Sequence, residues 1–201
     1  MNLIISKLIG SVFQIILFTL VPLIWWLITA RKESNFFSWI GLKKYEKENK
    51  PLLWVCGISA AFSLISILML YAVRDVDTAA SDFSGLGIKA LPAILIYAIL
   101  NTALPEEILF RGFLLKRFSS RFGFTAGNIM QASVFGLMHG IMFFDAAGAL
   151  KAILIYLFTG SVAWFIGYTN EKKAGGSILP GWCIHSIANI LSGLCAACSV
   201  F

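Results

Sequence analysis

Charge is scarce in this chain: only 13% of its 201 residues are Asp, Glu, Lys or Arg, about half the share of a soluble globular domain. A water-soluble fold with a charged surface is excluded on that ground. Histidine is scarcer still, with two residues, His139 and His185. No H-E-x-x-H helix is present, so the best-known zinc-protease spacing is absent. There is no internal repeat and no pair of interrupted apolar segments, which argues against a carrier. No basic face interleaved with aromatics stands in water, so a nucleic-acid partner is excluded. The four cysteines, Cys56, Cys183, Cys195 and Cys198, all fall in hydrophobic windows and read as small apolar fillers. The final "CSVF" matches a prenylation pattern. It is set aside, because the topology below puts that end outside, away from the cytoplasm where prenylation occurs.

What the chain has in abundance is apolar sequence, 59% of its residues. The charges cluster and leave long windows between them: residues 8–30, 51–73, 90–105, 122–144, 152–170 and 174–201. A membrane span takes about 20 apolar residues, so the windows predict an all-α, polytopic membrane protein of about six transmembrane helices. The first window is longer than a signal-peptide core and is not followed by an A-x-A site, so it is expected to be retained. Lys and Arg concentrate in residues 31–50, 116–121 and 172–173. The positive-inside rule then predicts a multi-pass cell-membrane protein with both termini outside and these loops in the cytoplasm.

Against this background the polar residues inside the late windows stand out. "LPEEILFRGFLL" sets Glu106 beside Glu107, with Arg111 four residues after Glu107. That i, i+4 spacing predicts an ion pair, giving Glu107 and Arg111 a structural role. Asn128, Gln131, Phe135 and His139 form one helical stripe, and Gly181, His185, Asn189 and Ser192 form another. Taking the fourth helix to start near Asn128, Glu106, His139 and His185 lie about 12–17 Å from a helix start or flanking charge, near the middle of a hydrocarbon core about 30 Å thick. Groups at one depth on separate helices predict a shared cavity.

A carboxylate buried without a partner costs several kcal/mol, so it persists mainly where it serves a purpose. A desolvated Glu is a competent base near neutral pH. A His beside it can share a water, and a second His and an Asn amide can donate to an oxyanion. Cys183 and Ser186 point away from the His185 stripe, so no Ser or Cys has an evident His partner, which disfavours a covalent intermediate. Zinc held by Glu106, His139 and His185 is the competing account, with no metal favoured.

"EEILFR", "FGLMH" and "HSIAN" have the forms E-E-x-x-x-R, F-x-x-x-H and H-x-x-x-N. In this order, on successive late helices, they resemble the CPBP family, also called the CAAX prenyl protease or Abi family, which includes the Rce1-type proteases. The resemblance spans about residues 88 to 195. It implies N-terminal membrane helices and a cytoplasmic loop over 1–87, and a four-helix intramembrane protease core over 88–201. It further implies Glu106 as the base, helped by His139. His185 and Asn189 would form the oxyanion site, with Glu107, Arg111 and Phe135 in support. Members have been labelled metalloproteases, although a glutamate mechanism is now favoured.

The expected function is therefore an intramembrane endopeptidase acting through a glutamate-activated water, with its site reached from the cytoplasmic side. Its partners would be membrane lipids and a peptide or protein substrate, such as a prenylated C-terminus or a leader peptide. Two rivals stand. A non-catalytic bacteriocin-immunity or binding protein of the same family would protect cells even with Glu106 replaced by Gln. A proton-coupled transporter would show flux across sealed liposomes and yield no fragments.

Overall fold

A computed structural model describes residues 2–45 and 48–200. Among them are seven helices and no strand. They are α1 (Leu3–Thr29), α2 (Phe36–Trp39), α3 (Pro51–Ala72), α4 (Gly87–Phe122), α5 (Phe124–Met142), α6 (Phe144–Lys173) and α7 (Leu179–Ala197). Five of these, α1, α3, α4, α6 and α7, are long and apolar enough to cross a membrane. The sixth expected span, α5, has 19 residues, but Asn128, Gln131 and His139 dilute its apolar character. Cys56, Cys183 and Cys198 are exposed on the outside of the bundle rather than filling its interior.

Local chemistry sets the boundaries. The Asn2 side chain caps α1 by accepting from Ile4 N at 3.0 Å. Pro51 and Pro180 stand in the first turns of α3 and α7, where a missing N–H costs nothing. Gly123 adopts φ 80° and separates α4 from α5, a conformation open to glycine but strained for other residues. The two glycines at this corner have different roles. Gly123 makes a turn, whereas Gly127 packs against the Ser119 backbone.

Helix α4 departs most from regularity. Residues Tyr97–Ala103 and Glu107–Leu115 form π-helical turns, with Leu104–Glu106 between them. Pro105 brings no amide proton to this helix interior, and wider turns on both sides absorb the break. The two segments flank Glu106, and the second carries Glu107 and Arg111.

The bundle has two distinct ends. At the first, the loops after α2, α4 and α6 meet: Ile178 N donates to Gly41 O at 2.8 Å, and Lys116 Nζ reaches Glu171 at 2.7 Å and Gly176 O at 2.9 Å. At the second, Lys7 pairs with Asp82 at 2.7 Å, Lys151 pairs with Asp75, and Gly85 N donates to Ala196 O at 3.3 Å. Ten of the described Lys and Arg residues lie at the first end, and Lys7, Arg74, Lys89 and Lys151 lie at the second. The first is the basic end.

Candidate active site

Helix α4 brings Glu107 and Arg111 to full burial, with Arg111 Nη1 3.1 Å from Glu107 Oε1. The expected ion pair is therefore present. The Arg111 guanidinium also lies over the Phe135 ring, 4.5 Å from its centroid. Glu107 has further partners that its pairing with Arg111 did not suggest. Its Oε1 lies 3.2 Å from His185 Nδ1, and its Oε2 accepts from Asn170 Nδ2 at 3.4 Å. Asn170, fully buried at the π-helical end of α6, also accepts from Gly181 N at 2.8 Å. One carboxylate thus ties α4 to both α6 and α7.

His185 stands between the two glutamates. While Nδ1 faces Glu107, Nε2 lies 3.6 Å from Glu106 Oε2. Glu106 Oε2 is buried yet has no hydrogen-bond partner among the described residues. One turn along α7, Asn189 Nδ2 donates to Thr102 Oγ1 at 2.7 Å. The Thr102 hydroxyl donates in turn to Tyr97 O at 3.1 Å. An amide carries two N–H donors, so this contact fixes the orientation of the Asn189 amide and leaves its second N–H uncommitted.

Helix α5 supplies Phe135 and His139. The Phe135 ring centroid lies 4.5 Å from that of His139, 5.9 Å from that of His185 and 4.9 Å from that of Phe110. His139 Nδ1 lies 2.9 Å from Phe135 O. A carbonyl only accepts, so Nδ1 carries the proton and Nε2 holds a free lone pair in the neutral ring. Two sequence expectations for α5 need correction. The helix starts at Phe124 rather than near Asn128, so His139 sits in its last turn, about 22 Å along the axis. The polar stripe also divides. Asn128 and Gln131 bind the Trp164 and Ala163 carbonyls of α6 at 2.9 and 3.1 Å and hold two helices together.

Glu106, His139, His185 and Asn189 all line one cavity of about 280 Å³, joined there by Thr102, Arg111 and Phe135. Glu106 lines it from α4, the fully buried Glu107 does not reach it, and His139 lines it from the last turn of α5. Helix α3 supplies Phe62, Ser66, Met69 and Leu70 to the wall. Sequence reading missed Thr102 and Asn170, because neither belongs to a stripe or a charged motif. Their signal was a polar residue about one turn before Glu106 and another next to the α6–α7 turn. Among the described residues no group of three or more His, Cys, Asp or Glu side chains is gathered to hold a metal ion. Glu106, His139 and His185 share a cavity without forming a ligand set.

The family model described as "Type II CAAX prenyl endopeptidase Rce1-like" matches residues 88–191. The chain belongs to this family. The match runs from the start of α4 into α7, and so covers Glu106, Glu107, Arg111, Phe135, His139, His185 and Asn189, but not the α3 residues of the wall. Comparisons with curated proteins and with solved structures returned no match. Membership in an endopeptidase family, on a bundle with five apolar spans, makes this a membrane protein of the protease type. The Rce1-like match and the resemblance seen in the three sequence motifs agree over nearly the same residues.

Proposed function

We propose that this protein hydrolyses peptide bonds inside the bilayer, with Glu106 as the base that activates water. The observation that carries the reading is the Glu106–His185–Glu107 relay, in which one imidazole spans the half-buried Glu106 carboxylate at 3.6 Å and the fully buried Glu107 carboxylate at 3.2 Å. With His185 doubly protonated, the group of Glu106, His185, Glu107 and Arg111 balances two negative charges with two positive ones. Such balance is what allows charges to persist in a low-dielectric interior.

Each residue has a task in the reaction. Water between Glu106 and His139 donates one proton toward the carboxylate and the other toward His139 Nε2. Its oxygen attacks the substrate carbonyl carbon as Glu106 takes the proton. The oxyanion receives N–H bonds from His185 Nε2 and from the uncommitted N–H of Asn189. On collapse the C–N bond breaks, and Glu106 returns its proton to the departing amine. Glu107 and Thr102 act through His185 and Asn189 as positioning residues. No step passes through a metal.

The test is mass spectrometry of peptides incubated with the purified protein and with Glu106→Gln. Fragments from the native protein are expected, with at least a 100-fold loss in the variant, within the range of about 10²–10⁴ for removal of a general base. Equal cleavage by both proteins would end the proposal.

A further inference from the structure

We infer that the cavity takes its substrate from the face of the membrane opposite the basic loops, so that the protease acts on peptides presented outside the cytoplasm. The inference rests on the peptidase reading for its substrate, but its geometry stands independently.

The first observation is where the cavity leads. Beyond Asn189 and His139 its wall is made by Val73, Thr78, Met142 and Phe143. These residues lie at the C-terminal ends of α3 and α5 and in the segment that follows α3. They belong to the end of the bundle tied together by the Lys7–Asp82 and Lys151–Asp75 pairs. Ser192, nearly two turns beyond His185 on α7, also lines the route.

The second observation is what closes the other end. The segment after α2 turns into the bundle and buries Ile40 to 1% exposure, against Ile108 and Ile178. The fit is tight: a Cβ on Gly112 would come within 2.7 Å of Ile40 O. The Ile178–Gly41 hydrogen bond and the bonds from Lys116 to Glu171 and Gly176 close the same side. Aromatic packing extends the seal, with Arg117 over the Trp39 ring at 4.6 Å. Ile40 and Gly41 thus act as a plug between α4 and the α6–α7 turn at the basic end, while Asn35, Phe37, Ser38, Lys43 and Lys44 stay exposed.

The third observation is charge. The plugged end holds ten described Lys and Arg residues and the open end four, beside Asp75, Asp77, Asp82 and Asp145. Short loops rich in Lys and Arg remain in the cytoplasm. The plug therefore faces the cytoplasm and the mouth faces outward, the reverse of the access expected from sequence.

This access restricts the substrate. A prenylated C-terminus is made in the cytoplasm and would meet the plug. The mouth suits an extended peptide with bulky apolar residues beside the cleaved bond, because Leu70, Val73, Met142 and Phe143 surround the approach.

Cysteine accessibility tests the inference without requiring turnover. In a chain whose four native cysteines are replaced by Ala, single cysteines are placed by Thr78→Cys at the mouth, Ser192→Cys in the cavity and Lys44→Cys at the basic end. A charged, membrane-impermeant methanethiosulfonate is applied to intact cells and to inverted vesicles. Labelling of the Thr78 and Ser192 variants in cells, and of the Lys44 variant only in vesicles, is the expected result. Labelling of the Ser192 variant only in vesicles, or from neither side, overturns the inference. If that variant does not accumulate, Thr159→Cys, also on the wall, takes its place under the same criteria. A peptidase with cytoplasmic access would cleave peptides yet fail this test, whereas an inactive protein with outward access would pass it.

Discussion

Glu107 Oε1 lies 3.2 Å from His185 Nδ1 and, on its other side, 3.1 Å from Arg111 Nη1. One oxygen is thus shared between a buried cation and the ring that faces Glu106. Removing its charge through Glu107→Gln would strand the fully buried Arg111 guanidinium. Breaking a buried pair in this way costs about 3–5 kcal/mol. The expected outcome is a clear fall in the thermal midpoint in detergent, together with lost cleavage. Removing both partners, as Glu107→Gln with Arg111→Leu, should recover much of the stability without recovering activity, because His185 still lacks its anchor. A single variant as stable as the native protein would contradict the pairing.

Thr102 gives a finer test. Its hydroxyl accepts from Asn189 at 2.7 Å and donates to Tyr97 O at 3.1 Å. Thr102→Val keeps the shape and removes the acceptor, leaving a buried N–H unpaired at a cost of about 1–3 kcal/mol. If Asn189 acts on the oxyanion, that loss falls on kcat by about 10–100-fold, with KM little changed. Thr102→Ser should restore most of the rate. A change confined to KM would show that Asn189 binds substrate and does not stabilise the transition state.

Much of this site could be read from sequence, for identifiable reasons. The i, i+4 spacing of Glu107 and Arg111 survives the change from α to π turns, because residues four apart stay neighbours in both. His185, Asn189 and Ser192 stayed on one face because α7 is a regular helix. Other features depended on tertiary placement. The second role of Glu107, on His185, needs the rotation of α7 against α4. The position of His139 depended on a helix start that a glycine at φ 80° decides. Ile40 gave no periodic signal, since it follows a helix of only four residues, and its burial is evident only when α4 and the α6–α7 turn surround it.

Phe135 touches more of the site than any motif suggested, through its contacts with Arg111, His139, His185 and Phe110. Phe135→Leu retains most of the apolar volume and should cost about 1 kcal/mol. Phe135→Ala opens a cavity beside the guanidinium and should cost about 3–5 kcal/mol. Activity should follow the same order, because both rings lean on this residue. Thermal midpoints and cleavage rates of the two variants, measured together, check the ranking.

A chelator separates the glutamate mechanism from its zinc rival. The three candidate ligands share a cavity but are not gathered as a ligand set. Cleavage rates should therefore be unchanged after prolonged treatment with phenanthroline or EDTA. Loss of activity that added zinc restores would replace Glu106 as sole activator of water and require these side chains to rearrange.

Helices α5 and α6, which both line the cavity, meet through glycine. Gly136 and Gly140 of α5 face α6, and a Cβ on Gly136 would lie 2.5 Å from Tyr156 O and 3.1 Å from the Gly160 backbone. Both obstacles are main chain, which cannot turn aside as a side chain can. Gly136→Ala must therefore push α5 away from α6. The first helix carries Phe135 and His139, and the second contributes Phe158, Thr159 and Val162 to the cavity wall, so the displacement reaches the site directly. At Gly140 the nearest atoms would lie at 3.1 and 3.2 Å, one of them a side-chain carbon. Gly140→Ala should accordingly be milder. The expected order, in both thermal midpoint and cleavage rate, is native, then Gly140→Ala, then Gly136→Ala. The reverse order would mean that α5 and α6 do not meet through these glycines, and small residues at such crossings are what permit close helix approach in a membrane.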